Sequence, residues 1–288
     1  MSGTHDAVAA GCDLPAPATA LVTGASSGIG AAVAERLAAR GHAVAMVGRR
    51  AAPLAELHAR IRARGGTALP LPLDLLDPGA PQEAVARAEA ELGPIDVLTC
   101  SAGTVRLAEI HESEERHWER QLRLNLTVPF LLARQVLPGM RRRRHGWIVN
   151  VGSGVGCEEA VPGSGGYGVS KYALHRLTEL VQQENRGHGV RAVTVAPGWV
   201  GTRLAADPAD LDVPAAEILV PEDIARTVAW LLDQPARMSL GPLVRVDASS
   251  PRASAERAMS RHIARGREAG AGPGAPEQSL QEIPDEHT

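Results

Sequence analysis

One feature constrains this chain more than any other: an alternation of short aliphatic runs with longer stretches of helical period. The runs lie at 20–23, 43–47, 68–73, 95–100, 147–151, 190–196 and 243–246. Helical periodicity occupies 29–40, 53–64, 81–92, 114–143 in two pieces, 167–186 and 221–232, with Gly41, Gly65 and Gly187 standing where helix stops are expected. Strands this apolar are covered on both faces, and a strand that returns parallel to its predecessor needs a crossover helix. The pattern therefore predicts an α/β fold, a doubly wound parallel seven-stranded sheet with helices on both faces. Nothing interrupts the alternation, so a single domain is expected over 18–250. A leader at 1–17 without periodicity precedes it, and a helical or disordered tail at 251–288 follows.

Composition removes several classes of function. Apolar residues make up 44 % and charged residues 22 % of the 288, as in ordinary globular chains. No run approaches 18 apolar residues and no basic segment precedes an apolar one near the start, so no membrane partner is expected. A net charge of −3 offers no basic surface for nucleic acid. Cys12, Cys100 and Cys157 are odd in number and far apart, which excludes a disulfide framework or a metal site and points to a cytoplasmic setting. Arg141 to Arg144 end a helical stretch, where cations complement the dipole and read as a solvated end. Arg257, Arg261 and Arg265 recur at helical spacing, as in a solvated terminal helix or a partner-binding arm.

Thr23-Gly24-Ala25-Ser26-Ser27-Gly28-Ile29-Gly30 joins the first strand to the first helix. Glycines there permit a tight turn and bring backbone amides to a pyrophosphate at a helix N-terminus, as in Rossmann-type dinucleotide folds. The same stretch satisfies GxSxG, the hydrolase nucleophile elbow, but no histidine follows at a late strand end to complete that arrangement. The second strand ends in Gly48-Arg49-Arg50, with no acid for a ribose 2′-hydroxyl. A guanidinium there suits a 2′-phosphate, so NADP(H) is favoured over NAD(H).

Tyr167-Gly168-Val169-Ser170-Lys171 contains the only lysine among 30 basic residues and one of only two tyrosines. At i,i+4 on a helix the two side chains share a face, and a cation held there is expected to lower the phenol pKa from about 10 toward neutrality. With this pair the chain resembles the short-chain dehydrogenase/reductase family, in its TGxxxGxG and YxxxK branch, over about 18–247. Further motifs follow in family order: Asp74-Leu75, Ser101-Ala102-Gly103, Asn125, Ser153 fourteen residues before Tyr167, and Pro197-Gly198-Trp199-Val200-Gly201-Thr202.

The resemblance implies a catalytic set of Asn125, Ser153, Tyr167 and Lys171. It implies a cofactor site of Gly24, Ser26, Ser27, Gly28, Ile29, Gly30, Arg49, Arg50, Asp74, Leu75, Ser101, Ala102, Gly103, Tyr167, Lys171, Pro197, Gly198, Val200 and Thr202. In that scheme Tyr167 exchanges a proton with a small carbonyl or alcohol substrate, Ser153 polarises the carbonyl, Lys171 holds the nicotinamide ribose and Asn125 anchors a water. Taken singly, Ser153 could be a strand-end hydrogen bonder and Asn125 a kink residue. Cys100-Ser101 departs from the family's Asn-Asn, which puts sheet bracing and cofactor fit in question. Also implied is a homotetramer or homodimer built through the two long helices. Trp199, Val155, Glu158 and Val161 are candidate pocket residues, Trp147 reads as core, and an acidic loop at 203–220 carries Asp207, Asp210, Asp212 and Glu217. The competing reading on the same fold is a catalytically inactive nucleotide-sensing protein.

Overall fold

The computed structural model describes residues 14–157, 160–202, 218–235, 237–238 and 240–248. Most of the expected leader, Glu158, loop residues 203–217 and the tail lie outside the described residues. Seven strands form one sheet: β1 (Thr19–Thr23), β2 (Ala43–Gly48), β3 (Thr67–Pro72), β4 (Val97–Cys100), β5 (Gly146–Val151), β6 (Val190–Pro197) and β7 (Leu243–Val246). All pairings are parallel, in the order β3-β2-β1-β4-β5-β6-β7. The helices are α1 (Gly28–Ala39), α2 (Ala51–Ala63), α3 (Ala80–Leu92), α4 (Glu115–Leu122), α5 (Val128–Arg143), α6 (Gly165–Asn185) and α7 (Pro221–Leu232).

Alternate strand residues serve opposite faces. Val22, Met46, Val149 and Val195 pack with α1, α2 and α7 on one side; Leu21, Val47, Ile148 and Ala192 pack with α3, α5 and α6 on the other. This is why the strands read as largely apolar runs. Truncating a fully buried leucine such as Leu21 or Leu98 to alanine would cost about 2–5 kcal/mol. Strand order reverses direction between β1 and β4, and the loops at their carboxyl ends diverge to leave a crevice.

Three details depart from expectation. The left-handed stop after α6 is Gly189 (φ +75°), not Gly187, because a short 3-10 turn (Arg186–His188) extends the helix end. Arg143 is only partly solvated: it donates to Ile95 O (2.6 Å) and reaches the buried Asp96 carboxylate (3.2 Å), which also accepts from Thr19 N and contacts His145. That cluster ties together the amino ends of β1, β4 and β5. Ordered packing also begins before residue 18, since Leu14 rests against the α1 and α7 side of the core.

Candidate active site

The phosphate-type turn is shaped by what its glycines lack. A Cβ on Gly30 would lie 2.4 Å from Gly24 O, and one on Gly24 (φ +69°) would lie 2.8 Å from Ala102 N. The turn thus closes on itself and on the loop after β4, and the first amides of α1 have no intrahelical acceptor. Ser27 sits at the helix N-cap without using its side chain there. Ser26 touches the end of β2, 3.1 Å from a Cβ position on Gly48, and Arg50 donates to Ser26 O at 3.3 Å. Arg49 stands 4.0 Å from the Asp74 carboxylate, which also accepts from Leu76 N. The Thr202 methyl lies 3.2 Å from a Cβ position on Gly28, so the loop after β6 meets the loop after β1.

Not every expected contact can be made by a side chain. Leu75 and Val200 are buried in the two core clusters, which leaves only their backbone to face the crevice, while Ile29 packs against one cluster and stays partly exposed. Bracing at Ser101 comes from a residue that sequence reasoning passed over in this role. The Thr23 hydroxyl accepts from Ser101 N and Ala102 N, both at 3.1 Å, and donates to Thr99 O. A buried hydroxyl at the last position of an otherwise aliphatic strand was the available signal.

At the other end of the crevice, β5 delivers Val151 and then Ser153. The Ser153 side chain is buried, caps the 3-10 turn Gly154–Gly156 by accepting from Val155 N (3.3 Å), and lies near enough to the Tyr167 hydroxyl to favour its ionised form. Tyr167 lies in the first turn of α6. One turn further on, the Lys171 ammonium is buried, donates to Val151 O at 2.9 Å and stands 5.8 Å from the Tyr167 ring centre. Asn125 sits in a π-helical turn (Arg123–Thr127) between α4 and α5, a geometry recurrent at functional sites. Its amide accepts from Thr104 N (2.9 Å) and donates to Thr104 O (2.9 Å) and Ser170 Oγ (3.0 Å). Gly103 faces both groups, its Cβ position 3.3 Å from Asn125 Oδ1 and 3.7 Å from Lys171 Nζ. Ser170, the third member of this contact, falls inside the YxxxK stretch but carried no sequence signal of its own.

The electrostatics correct one expectation. Burial pushes the Tyr167 phenol above its ordinary value, and only the neighbouring Ser153 hydroxyl works the other way. The Lys171 ammonium donates to Val151 O and is itself pushed down to about 8 by burial, so desolvation outweighs nearby charge at this pair. Tyr167 itself remains partly accessible. Cys100, buried at the end of β4, has its thiol pushed up to about 12 and stays neutral beside Lys171. Of the pocket candidates, Trp147 is core, while Val155, Val161 and Trp199 keep partial exposure. Among the described residues, no helix is long and apolar enough to cross a membrane.

Comparison with known proteins agrees with this layout. The profile of the short chain dehydrogenase family matches residues 18–210. A short chain dehydrogenase of Pseudocercospora fijiensis is 38 % identical over 190 residues, 65 % of this chain and 61 % of that protein. The glycine betaine reductase of Emericella nidulans is 32 % identical over 232 residues, 78 % of this chain. The chain thus spans less than two thirds of the length of these two curated relatives, and only 18 % of the latter. A crystal structure of a metagenomic short-chain oxidoreductase in complex with NADP superposes with a TM-score of 0.71 at 32 % identity, covering 82 % of this chain and 99 % of that one. With fold, motif order and site geometry in agreement, the chain belongs to the short-chain dehydrogenase/reductase family.

Proposed function

We propose that the chain is an NADP(H)-dependent oxidoreductase that interconverts a ketone or aldehyde with the corresponding alcohol. The observation that carries this reading is the convergence of three side chains: the buried Ser153 hydroxyl beside the Tyr167 phenol, and the Lys171 ammonium buried one helical turn away, 5.8 Å from the Tyr167 ring centre. When bound, the nicotinamide supplies or accepts the hydride. The closed glycine turn and the open amides of α1 fit its pyrophosphate, flanked by Ser26, Ser27 and Thr202, with Ser101 to Gly103 and Pro197 to Val200 lining the remaining crevice.

The chain's own residues handle the proton. Tyr167 donates it to the carbonyl oxygen in reduction and takes it back in oxidation, while Ser153 hydrogen-bonds the same oxygen. Asn125 holds Ser170 and the Thr104 backbone in place beside Lys171, where the proton is resupplied through water. A phenol whose pKa is raised is protonated at neutral pH, so the resting site is set for reduction and oxidation gains as pH rises.

Arg49 and Arg50 at the end of β2 support a 2′-phosphate, as does the NADP bound by the structural relative. Exposed Phe130 on α5 and Tyr172 and Leu180 on α6 support a homodimer or homotetramer through these helices, which light scattering would register. Titration with NADPH and NADH, followed by nicotinamide fluorescence and thermal stabilisation, tests the cofactor. NADPH should bind more tightly, and Arg49→Asp should weaken NADPH about tenfold or more while sparing NADH. Failure of both nucleotides to bind would overturn the proposal.

A further inference from the structure

We infer that His175 is a positioning residue for Ser153: its ring fills a space left by the missing side chain of Gly152 and holds the Ser153 turn at both ends. The inference rests on Ser153 being the group that polarises the substrate carbonyl.

Tyr167, Lys171 and His175 recur at i,i+4 on α6, so the imidazole extends the stripe that bears the proton-handling pair by one more turn. It lies directly under the start of the turn: a Cβ on Gly152 would fall 2.4 Å from His175 Nε2 and 2.5 Å from the Thr194 methyl. Residue 152 is wedged between Val151, whose carbonyl accepts from Lys171, and Ser153 itself, and its own N–H donates to Val195 O at 2.7 Å. Any side chain at 152 must expel the imidazole or lift the end of β5, and Ser153 moves with it.

The ring also meets the turn where it ends. His175 Nδ1 is 3.9 Å from Cys157 Sγ, that thiol in turn contacts Ser153 O at 3.3 Å, and the Gly156 backbone lies near enough to the ring to favour its charged form. Gly156 lies flat on α6, its Cβ position 2.7 Å from the Lys171 carbonyl carbon. Nε2 is buried with no hydrogen-bond partner. A polar atom left unsatisfied normally counts against a side chain, so shape and the Gly156 contact, not hydrogen bonding at Nε2, account for a histidine here.

The test compares wild type with Gly152→Ala, His175→Ala, His175→Asn and the Gly152→Ala/His175→Ala double variant. Steady-state kinetics of NADPH-linked carbonyl reduction are read beside NADPH affinity and hydrogen exchange of the 153–157 amides. Misplacing a reacting group by about 1 Å can cut turnover ~100-fold, so Gly152→Ala should lose tenfold or more in kcat with NADPH affinity within about twofold. The double variant should recover most of that loss, because removing the ring makes room for the new methyl. Asparagine can present an N–H where Nδ1 stood, so His175→Asn should keep kcat within about threefold of wild type and His175→Ala should not. A double variant no better than Gly152→Ala, or equal effects of alanine and asparagine at 175, would overturn the inference. Hydrogen exchange separates it from the functional reading: if no carbonyl is turned over, the amides of 153–157 must still exchange faster in Gly152→Ala and recover in the double variant. Unchanged exchange would reject the positioning role whatever the activity.

Discussion

The two ends of the crevice are built from different materials. Around Gly24 and Gly30 the site is made of backbone, its shape set by atoms that are absent and its margins half-exposed. Around Ser153, Tyr167 and Lys171 it is made of side chains, with Ser153 and Lys171 buried and hydrogen-bonded to Val155 N and Val151 O. The first kind of site is steric and tolerates little added volume; the second is electrostatic and tolerates little added or lost charge. Substitutions should therefore fail in different observables at the two ends, affinity at one and turnover at the other.

The sharpest way to break this contrast is Tyr167→Phe. Loss of the proton donor should lower kcat by about 10²–10⁴ while NADPH affinity stays within twofold, measured by single-turnover kinetics and fluorescence titration. Retained turnover would remove Tyr167 from the chemistry. Next in size is Gly30→Ala, whose methyl would collide with Gly24 O and Thr23 O. Binding of either nucleotide should weaken at least tenfold, because the turn must open to admit about one methyl group.

Lys171→Met sharpens the comparison from the stability side. Lys171 is buried and its pKa is lowered to about 8, so folding disfavours its charged form. Between about pH 8 and its unfolded value near 10.5 the unfolded chain binds the proton more tightly, and wild-type stability gains as pH rises through that window. The methionine variant should lose this gain, should be no less stable than wild type at pH 7, and should turn over substrate at least tenfold more slowly. Chemical denaturation at pH 7 and pH 10 provides the check.

The smallest effect concerns His175, whose pKa burial lowers to about 4 from 6.5. Below 6.5 the unfolded chain takes up a proton that the folded protein refuses, so stability falls as pH drops toward 4 and levels off beneath it. In His175→Asn that part of the acid loss should vanish. An unchanged difference between pH 7 and pH 4.5 in thermal unfolding would show that His175 titrates normally.

Much of the architecture was legible in the chain itself. Runs such as 147–151 and 190–196 are mostly apolar on both sides of the pleat because both faces are covered, and that leaves few alternatives to a parallel sheet. Glycine positions in the turn after β1 and the Tyr167–Lys171 spacing were equally readable, since each depends on contacts within a few residues. What could not be read is everything that depends on who stands opposite. Thr23 meets Ser101 across 78 residues, Asn125 meets Ser170 across 45, and Gly152 needs His175 from another element.

Local spacing, then, determined the order of strands and helices, the glycine turn and the sharing of one helix face by Tyr167 and Lys171, because backbone sterics and periodicity act over a few residues. Tertiary structure alone decided the protonation chemistry. It turned the Lys171 ammonium to Val151 O and packed other segments around the Tyr167 phenol, so that desolvation raised a pKa that spacing had suggested would fall. The reason is physical: a pKa reports the competition between desolvation and nearby charge, and neither is defined until distant segments have packed around the group.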